Sequence, residues 1–294
     1  MRWLVGMELG ERGDGALGFA GWLFRASQSG HQFEGIHVLD RARLSQMLRN
    51  THLREIETAA RVAAQTLVTY AGAESAISRV DVAIENSAEA GLAKFARQPG
   101  VAGLILGRLA PRESRRLVRL GRVARRILRN LPAPTIVVPP DLGAGEVGDG
   151  PVLLAVDPEV PMPSAAAFAR RIASDTGRPL AIVHVVETFQ YIAVDYAPAV
   201  VTPEHYSRMR ERREEALVSW KARHEMDTVP HHITEGHVIE GLCELSETLR
   251  SPLLVSGSRE LGLGMRLFNS SVSSALAAAS MVPVAVVPEE PAPP

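Results

Sequence analysis

The sequence predicts an α/β protein of two tandem, doubly wound domains, each a mainly parallel sheet with helices on both faces. Three observations carry that prediction. Landmarks repeat at about half the chain length, short apolar runs alternate with longer amphipathic stretches, and a Pro/Gly-rich segment separates the two copies.

The repeat comes first, because missing it would misread the whole chain. Ile36-His37-Val38 is echoed by Val183-His184-Val185, and Leu104-Ile105-Leu106-Gly107 by Leu253-Leu254-Val255-Ser256-Gly257. Pro134-Thr135-Ile136-Val137-Val138-Pro139 returns as Pro283-Val284-Ala285-Val286-Val287-Pro288, and residues 4–8 match residues 153–157. Four landmarks keep their order at offsets of 147 to 150, which reads as a duplication. Between the copies, Pro139-Pro140-Asp141-Leu142-Gly143-Ala144-Gly145 and the Gly-rich residues that follow sustain neither strand nor helix periodicity. The expected organisation is a first domain over 1–140, a linker over 141–150, a second domain over 151–288 and a frayed proline-rich tail over 289–294.

Within each copy the runs are short and apolar, as strands of a sheet covered on both faces require. Residues 54–70 and 204–223 instead place apolar side chains at helical spacing. Hydrophobic residues make up 46% of the chain and charged residues 22%, enough apolar material to exclude wholesale disorder. Lys+Arg 32 against Asp+Glu 33 leaves a net charge of -1, so the molecule as a whole is no trap for nucleic acid or anionic lipid. The single cysteine, Cys243, allows neither an internal disulfide nor a structural zinc cluster. Met1-Arg2-Trp3-Leu4-Val5 reads as a strand rather than a secretory signal, and no run reaches the roughly 18–20 apolar residues of a membrane helix. A soluble, cytoplasmic protein is the expectation.

Ligands of parallel α/β sheets bind beyond the carboxyl ends of the strands. In the second copy those ends carry Asp157, after Ala155 and Val156, and Ser256-Gly257-Ser258-Arg259. Ser270-Ser271-Val272-Ser273-Ser274 then opens a helix. A Gly-containing turn lets backbone amides approach an anion, and a Ser-rich helix start adds hydroxyl donors at the positive end of the helix dipole. Taken alone, both features are also those of an ordinary turn and an ordinary helix cap.

The strand ending in Asp, the His-Val strand, the Gly-Ser turn, the small-residue pair opening a helix and the closing Pro-x-x-Val-Val strand together resemble the universal stress proteins in their tandem form. The resemblance covers nearly the whole chain. It implies two domains of the adenine nucleotide alpha hydrolase-like, Rossmann-like class, each with a five-stranded sheet, related by a pseudo-twofold axis. It also implies that the last strands, residues 135–138 and 284–287, meet edge to edge. ATP, with or without Mg, is the implied ligand of the second domain. Ala155, Val156, Asp157 and Val185 are then expected around adenosine, Gly257, Ser270, Ser271, Val272 and Ser273 around the phosphates, and Ser256, Ser258 and Arg259 elsewhere among the nucleotide-binding residues.

The ATP-binding members of that family carry Gly-x-x-Gly, nine residues, then Gly followed by Ser or Thr. Here Gly257 and Ser271 match, while Glu260 and Ser270 replace the second and third glycines. A carboxylate at Glu260 opposes a triphosphate, and the side chain of Ser270 narrows backbone approach. The first copy departs further: Glu8 stands for Asp, Arg108-Leu109-Ala110 follows Gly107, and Arg122 replaces the hydroxyl residue after Gly121.

Nine arginines lie between Arg108 and Arg129, offset by Glu113 alone, and read as a helical basic face. It could dock an acidic protein or another subunit, whereas the lack of interleaved aromatics argues against nucleic acid. His231 and His232 are adjacent, with His205, His224 and His237 nearby, but adjacent strand residues face opposite ways and complete no metal shell. His37 and His184 are expected to be hydrogen-bonded within the sheet rather than catalytic. No nucleophile elbow, phosphate-loop Lys or His-Glu-x-x-His occurs, and Asp157 and Glu260 are the only general bases in view, so no catalysis is expected. The functional expectation is a stress-response regulator that binds ATP chiefly in the second domain and assembles as a homodimer. The alternative is a nucleotide-independent interaction module with both pockets degenerate.

Overall fold

The computed structural model describes residues 1–9, 15–47, 52–108, 120–187, 203–258 and 272–289, without the side chains of 43, 46–47, 203–207 and 209. The first half contributes β1 (Arg2–Gly6), α1 (Gly15–Ala26), β2 (Gln32–Asp40), α2 (Arg41–Met47), α3 (Leu53–Tyr70), β3 (Ile77–Glu85), α4 (Ala88–Ala96), β4 (Val101–Gly107), α5 (Arg122–Arg129) and β5 (Thr135–Val138). The second contributes β6 (Val152–Ala155), α6 (Pro163–Thr176), β7 (Leu180–Glu187), α7 (Pro203–Arg223), β8 (His231–Gly236), α8 (Val238–Thr248), β9 (Leu254–Ser258), α9 (Val272–Ala279) and β10 (Val284–Pro288).

The ten strands among the described residues form one sheet in the order β3-β2-β1-β4-β5-β10-β9-β6-β7-β8. Each half is parallel throughout, and the two orders mirror one another across the antiparallel pair β5–β10, in which Val137 faces Val284 and Thr135 faces Val286. Every residue of β5 is buried. Left as an edge it would offer a row of apolar side chains and unpaired amides to any passing strand. Pairing the two closing strands removes both edges at once, as the family resemblance implies.

Successive strand residues point to opposite faces, so the Trp3-Leu4-Val5 triplet feeds two cores. Trp3, Val5, Ile105, Ile136 and Leu154 pack with α1, α3, α6 and α7 through Phe19, Val68, Phe168 and Trp220. Leu4, Leu104, Val137, Leu153 and Val183 pack with α4, α5, α8 and α9 through Leu92, Ile127, Leu242 and Leu276. The outer strands β3 and β8 were not visible as apolar runs. Their sequences, ISRVDVAIE and HHITEG, alternate with polar residues because they form the exposed rims of the sheet.

The segment after β5 is packed rather than loose. Leu142 is buried, and the Gly15 amide donates to Pro140 O at 2.9 Å. A Cβ on Gly15 would stand 1.9 Å from Pro139 O, and one on Gly18 2.5 Å from Leu142 O, so only glycine at these two positions lets α1 lie against this segment.

A second tie between the halves is polar. Trp3 Nε1 donates to His31 Nδ1 at 3.0 Å, and His31 Nε2 lies 2.8 Å from Asp175 Oδ2 on α6. Ser27 Oγ donates to the same carboxylate at 2.8 Å, Ser29 Oγ donates to its other oxygen, and the Gln28 amide donates to Asp175 O. Because the indole donates to Nδ1, the proton of the neutral ring sits on Nε2 and faces Asp175. Burial pushes His31 below its ordinary value of 6.5; Asp175 opposes that shift, while the N-terminus and Arg171 reinforce it.

Two outcomes follow from these ties. Ile136→Ala, at a fully buried position of β5, should cost about 2–5 kcal/mol in thermal or chemical denaturation. A change under about 1 kcal/mol would contradict the central role of that pairing. For His31 the unfolded chain takes up a proton near 6.5 that the folded protein refuses, so its contribution is present above that pH and lost as pH falls through the lower folded value. The denaturation midpoint should therefore drop between about pH 7.5 and about pH 5.5, and drop less in His31→Gln. Equal drops in the two proteins would remove His31 from the account.

Candidate functional site

In the second half, sheet pairing brings the expected strand ends together. Leu154 pairs with Val255 and Ala155 with Val183, which sets Val156 and Asp157 between the ends of β9 and β7. The Val156 amide continues the ladder by donating to Val183 O at 2.9 Å. Asp157 is exposed; its Oδ1 accepts the Glu159 amide at 3.2 Å and its carbonyl accepts Val160 N at 2.9 Å, a turn that redirects the chain toward α6. Val185 is buried in β7.

His184, one residue before, approaches Val156 O through Nδ1 at 2.8 Å. A carbonyl only accepts, so Nδ1 carries the proton and Nε2 is a buried acceptor with no hydrogen-bond partner among the described residues. Burial pushes His184 below its ordinary value, with the Val156 bond opposing. His37 repeats the arrangement in the first half, with Nδ1 3.0 Å from Met7 O. Both histidines hold strand ends, as the sequence suggested.

Ser256, Gly257 and Ser258 close β9, and Val272 and Ser273 open α9. Ser273 Oγ donates to Gly257 O at 2.7 Å and lies 3.1 Å from Ser256 Oγ, which itself donates to Gly257 O at 3.3 Å. These hydroxyls are therefore committed to holding the start of α9 against the end of β9. That differs from the phosphate contact expected of Ser273 and leaves Ser256 no free hydroxyl for a nucleotide, and the reason is their burial. Arg259, Glu260, Ser270 and Ser271 lie outside the described residues.

Two site residues escaped the sequence reading. Glu289, expected to begin a frayed tail, accepts the amides of Ser164 (Oε2, 3.0 Å) and Ala165 (Oε1, 2.8 Å) at the first turn of α6. Met162 supplies no side-chain cap to that helix, and Pro163 follows it. The uncapped start was the available signal: orphan amides need an acceptor from elsewhere. A Cβ on Gly257 would stand 2.9 Å from Met162 Cε and 3.1 Å from Glu289 Oε1. The space that glycine leaves is used by the protein itself.

The basic segment divides. Arg108 lies at the end of β4, not on a helix face; it is buried, and its Nη1 donates to Ala278 O and to Ser280 O (3.0 Å) at the carboxyl end of α9. Burial lowers its pKa, with Asp141 opposing. A cation at a helix C-terminus complements the dipole, so this first-half residue steadies the helix whose other end is bonded to the end of β9. Arg122, Arg125, Arg126 and Arg129 are exposed on α5, where Arg126 pairs with Glu89 and Arg122 lies 4.0 Å from Asp40. Exposed pairs of this kind contribute at most about 1 kcal/mol each. The other arginines of the segment, residues 112–119, lie outside the described residues.

His231 and His232 are neighbours on β8, His224 stacks on Trp220 at 3.8 Å, and the side chain of His205 is outside the described set. Among the described residues no three His, Cys, Asp or Glu side chains are grouped to hold a metal ion, and no helix is long and apolar enough to cross a membrane. Burial raises the Cys243 thiol to about 11, which leaves little thiolate at neutral pH.

Residues 150–288 match the Universal stress protein family. Among solved structures, the chain is similar to a functionally unknown protein from Pseudomonas aeruginosa PAO1, at 18% identity and a TM-score of 0.62 over 98% of this chain and 92% of that one. It is also similar to a universal stress protein from Archaeoglobus fulgidus DSM 4304, at 19% identity and a TM-score of 0.61 over 98% of both chains. At such identities the likeness establishes the fold, and it extends over nearly the whole chain. No curated protein matches the sequence.

Gly257→Val should destabilise the protein by about 1–3 kcal/mol in ligand-free thermal unfolding, because Met162 and Glu289 must move aside. An unchanged midpoint would mean that the contacts around Gly257 give way without strain.

Proposed function

Because residues 150–288 belong to the universal stress protein family, we propose that this protein is a stress-response regulator that binds an adenine nucleotide at the carboxyl ends of β6, β7 and β9. The observation that carries the reading is the convergence of Asp157, Val185, Gly257 and the start of α9 on one end of the sheet, held there by strand pairing and the Ser273–Gly257 bond. Asp157 is exposed and Gly257 and Ser258 are half-buried, so a ligand can reach this end from solvent. On this reading adenosine lies at the ends of β6 and β7, where backbone groups and the exposed Asp157 carboxylate can offer hydrogen bonds. ATP, with Mg to offset its charge, is the nucleotide that the family resemblance suggests. Its triphosphate fits less well, because the Ser256 and Ser273 hydroxyls already bond the protein.

The reading is one of binding without turnover: occupancy changes the surface around residues 157–160 and α9, and a partner reads the change. A cytoplasmic location and a homodimeric assembly belong to the same proposal. The first half supports a structural role, since Arg108 is spent on α9 and Arg122 faces Asp40.

A second reading has an observation in its favour. The space beside Gly257 is filled by Met162 and Glu289, as in a pocket that has ceased to bind phosphate. On that reading the exposed arginines of α5 are the docking face for an acidic partner and nucleotide plays no part.

Calorimetric titration with AMP and with ATP plus magnesium, joined to mass analysis of any ligand retained through purification, separates the two. The expected result is saturation near about one nucleotide per chain, weakened by about tenfold or more in Asp157→Ala, the loss of one charged hydrogen bond. No heat and no retained nucleotide would favour the interaction module.

A further inference from the structure

Glu289 places a fixed negative charge beside Gly257, where the resemblance puts the phosphates. Its position is set from two directions. Val287 pairs with Gly257 in the β9–β10 ladder, so the residue just beyond β10 emerges level with the end of β9. From below, the amides of Ser164 and Ala165 grip the carboxylate at 3.0 and 2.8 Å. Two amides of one helix turn, at the positive end of the helix dipole, hold this carboxylate as they would hold a phosphate oxygen.

Capping alone does not call for a charge here. At the equivalent place in the first half, 149 residues earlier, stands Pro140, whose neutral carbonyl accepts the amide of Gly15, the counterpart of Ser164. The same helix start is thus capped by a carbonyl in one half and by a carboxylate in the other. The carboxylate stands in the half with the better-kept pocket, and Oε1 lies 3.1 Å from the Cβ position of Gly257. An anionic ligand reaching that glycine must approach a like charge at close range, where repulsion is strong outside bulk water.

We propose that Glu289 sets the charge selectivity of the site: its carboxylate occupies the anion position, so the site takes uncharged adenosine in preference to ATP. The inference rests on the adenine-binding reading above and names its ligand class. Repulsion acts on the phosphates and not on the base or ribose, so the carboxylate lowers ATP affinity and leaves adenosine affinity alone.

The test is titration of the full chain and of Glu289→Gln with adenosine and with metal-free ATP. Glutamine keeps an oxygen for the α6 amides and removes the charge. In the unaltered protein adenosine should bind about tenfold or more tightly than ATP, and in Glu289→Gln the ATP affinity should rise about tenfold with adenosine unchanged. An unchanged ratio, with adenosine still bound, overturns the selectivity role and leaves the adenine reading standing. No adenosine binding to either protein overturns both. Should the variant fold poorly, the unaltered protein decides: added salt screens the repulsion, so the affinity of ATP relative to adenosine should rise with ionic strength, and a fall overturns the proposal.

Discussion

Three facing pairs of residues, Val284 with Val137, Ala285 with Ile136 and Val286 with Thr135, make one sheet of the two halves. Because this one ladder is antiparallel while each half is parallel, the carboxyl ends of the two sets of strands point to opposite margins of a single sheet. The two potential ligand positions are thereby set far apart in the architecture, each built around the ends of its own strands. The same ladder brings β4, with Arg108 at its end, to the carboxyl end of α9. A first-half side chain can then brace a second-half helix whose opposite end is bonded to the end of β9.

The pseudo-symmetry makes the differences between halves informative. His37 and His184 do the same work, each reaching the carbonyl that follows its neighbouring strand. Elsewhere the geometry is kept and the chemistry changed. Gly107 is followed by a buried arginine that the interface consumes, and Gly257 by Ser258, half-buried at the pocket. Pro140 caps one helix through its backbone and Glu289 the other through a charge. Asp175 has gathered Ser27, Ser29 and His31 from the opposite half into a buried cluster. The first half holds the second through these contacts, while the strand ends of the second stay open to solvent at Asp157.

The parts of this arrangement written in local pattern could be read from the chain. The offset landmarks give the two halves, the β-branched runs at 135–138 and 284–287 read as strands whose edge-to-edge meeting only the family resemblance implied, and the helices over 54–70 and 204–223 show their period. The strand-end residues Asp157 and Gly257 also follow, because strand order places them. What could not be read depends on partners distant in sequence. Strands β3 and β8 lack a continuous apolar run because each has a neighbour on one side only. Nothing near Glu289 announces that it serves amides 124 and 125 residues away, and Arg108 sits among arginines that look alike until its strand end is found buried. The segment after β5 has the composition of a flexible connection, yet Gly15 and Gly18 leave room for it to pack on α1. Even the glycine of the pocket has two readings in sequence, close approach of a ligand or of the chain itself, and Met162 and Glu289 decide for the second.

On the function proposed above, two halves sharing one sheet divide their work, one holding an adenine nucleoside and the other bracing it. A crystal structure of the full chain grown with saturating adenosine tests this most directly. Ligand density is expected at the ends of β6, β7 and β9, beside Asp157 and Val185, with none at the corresponding ends of β1, β2 and β4. Density at the first-half position, or at neither, would contradict it.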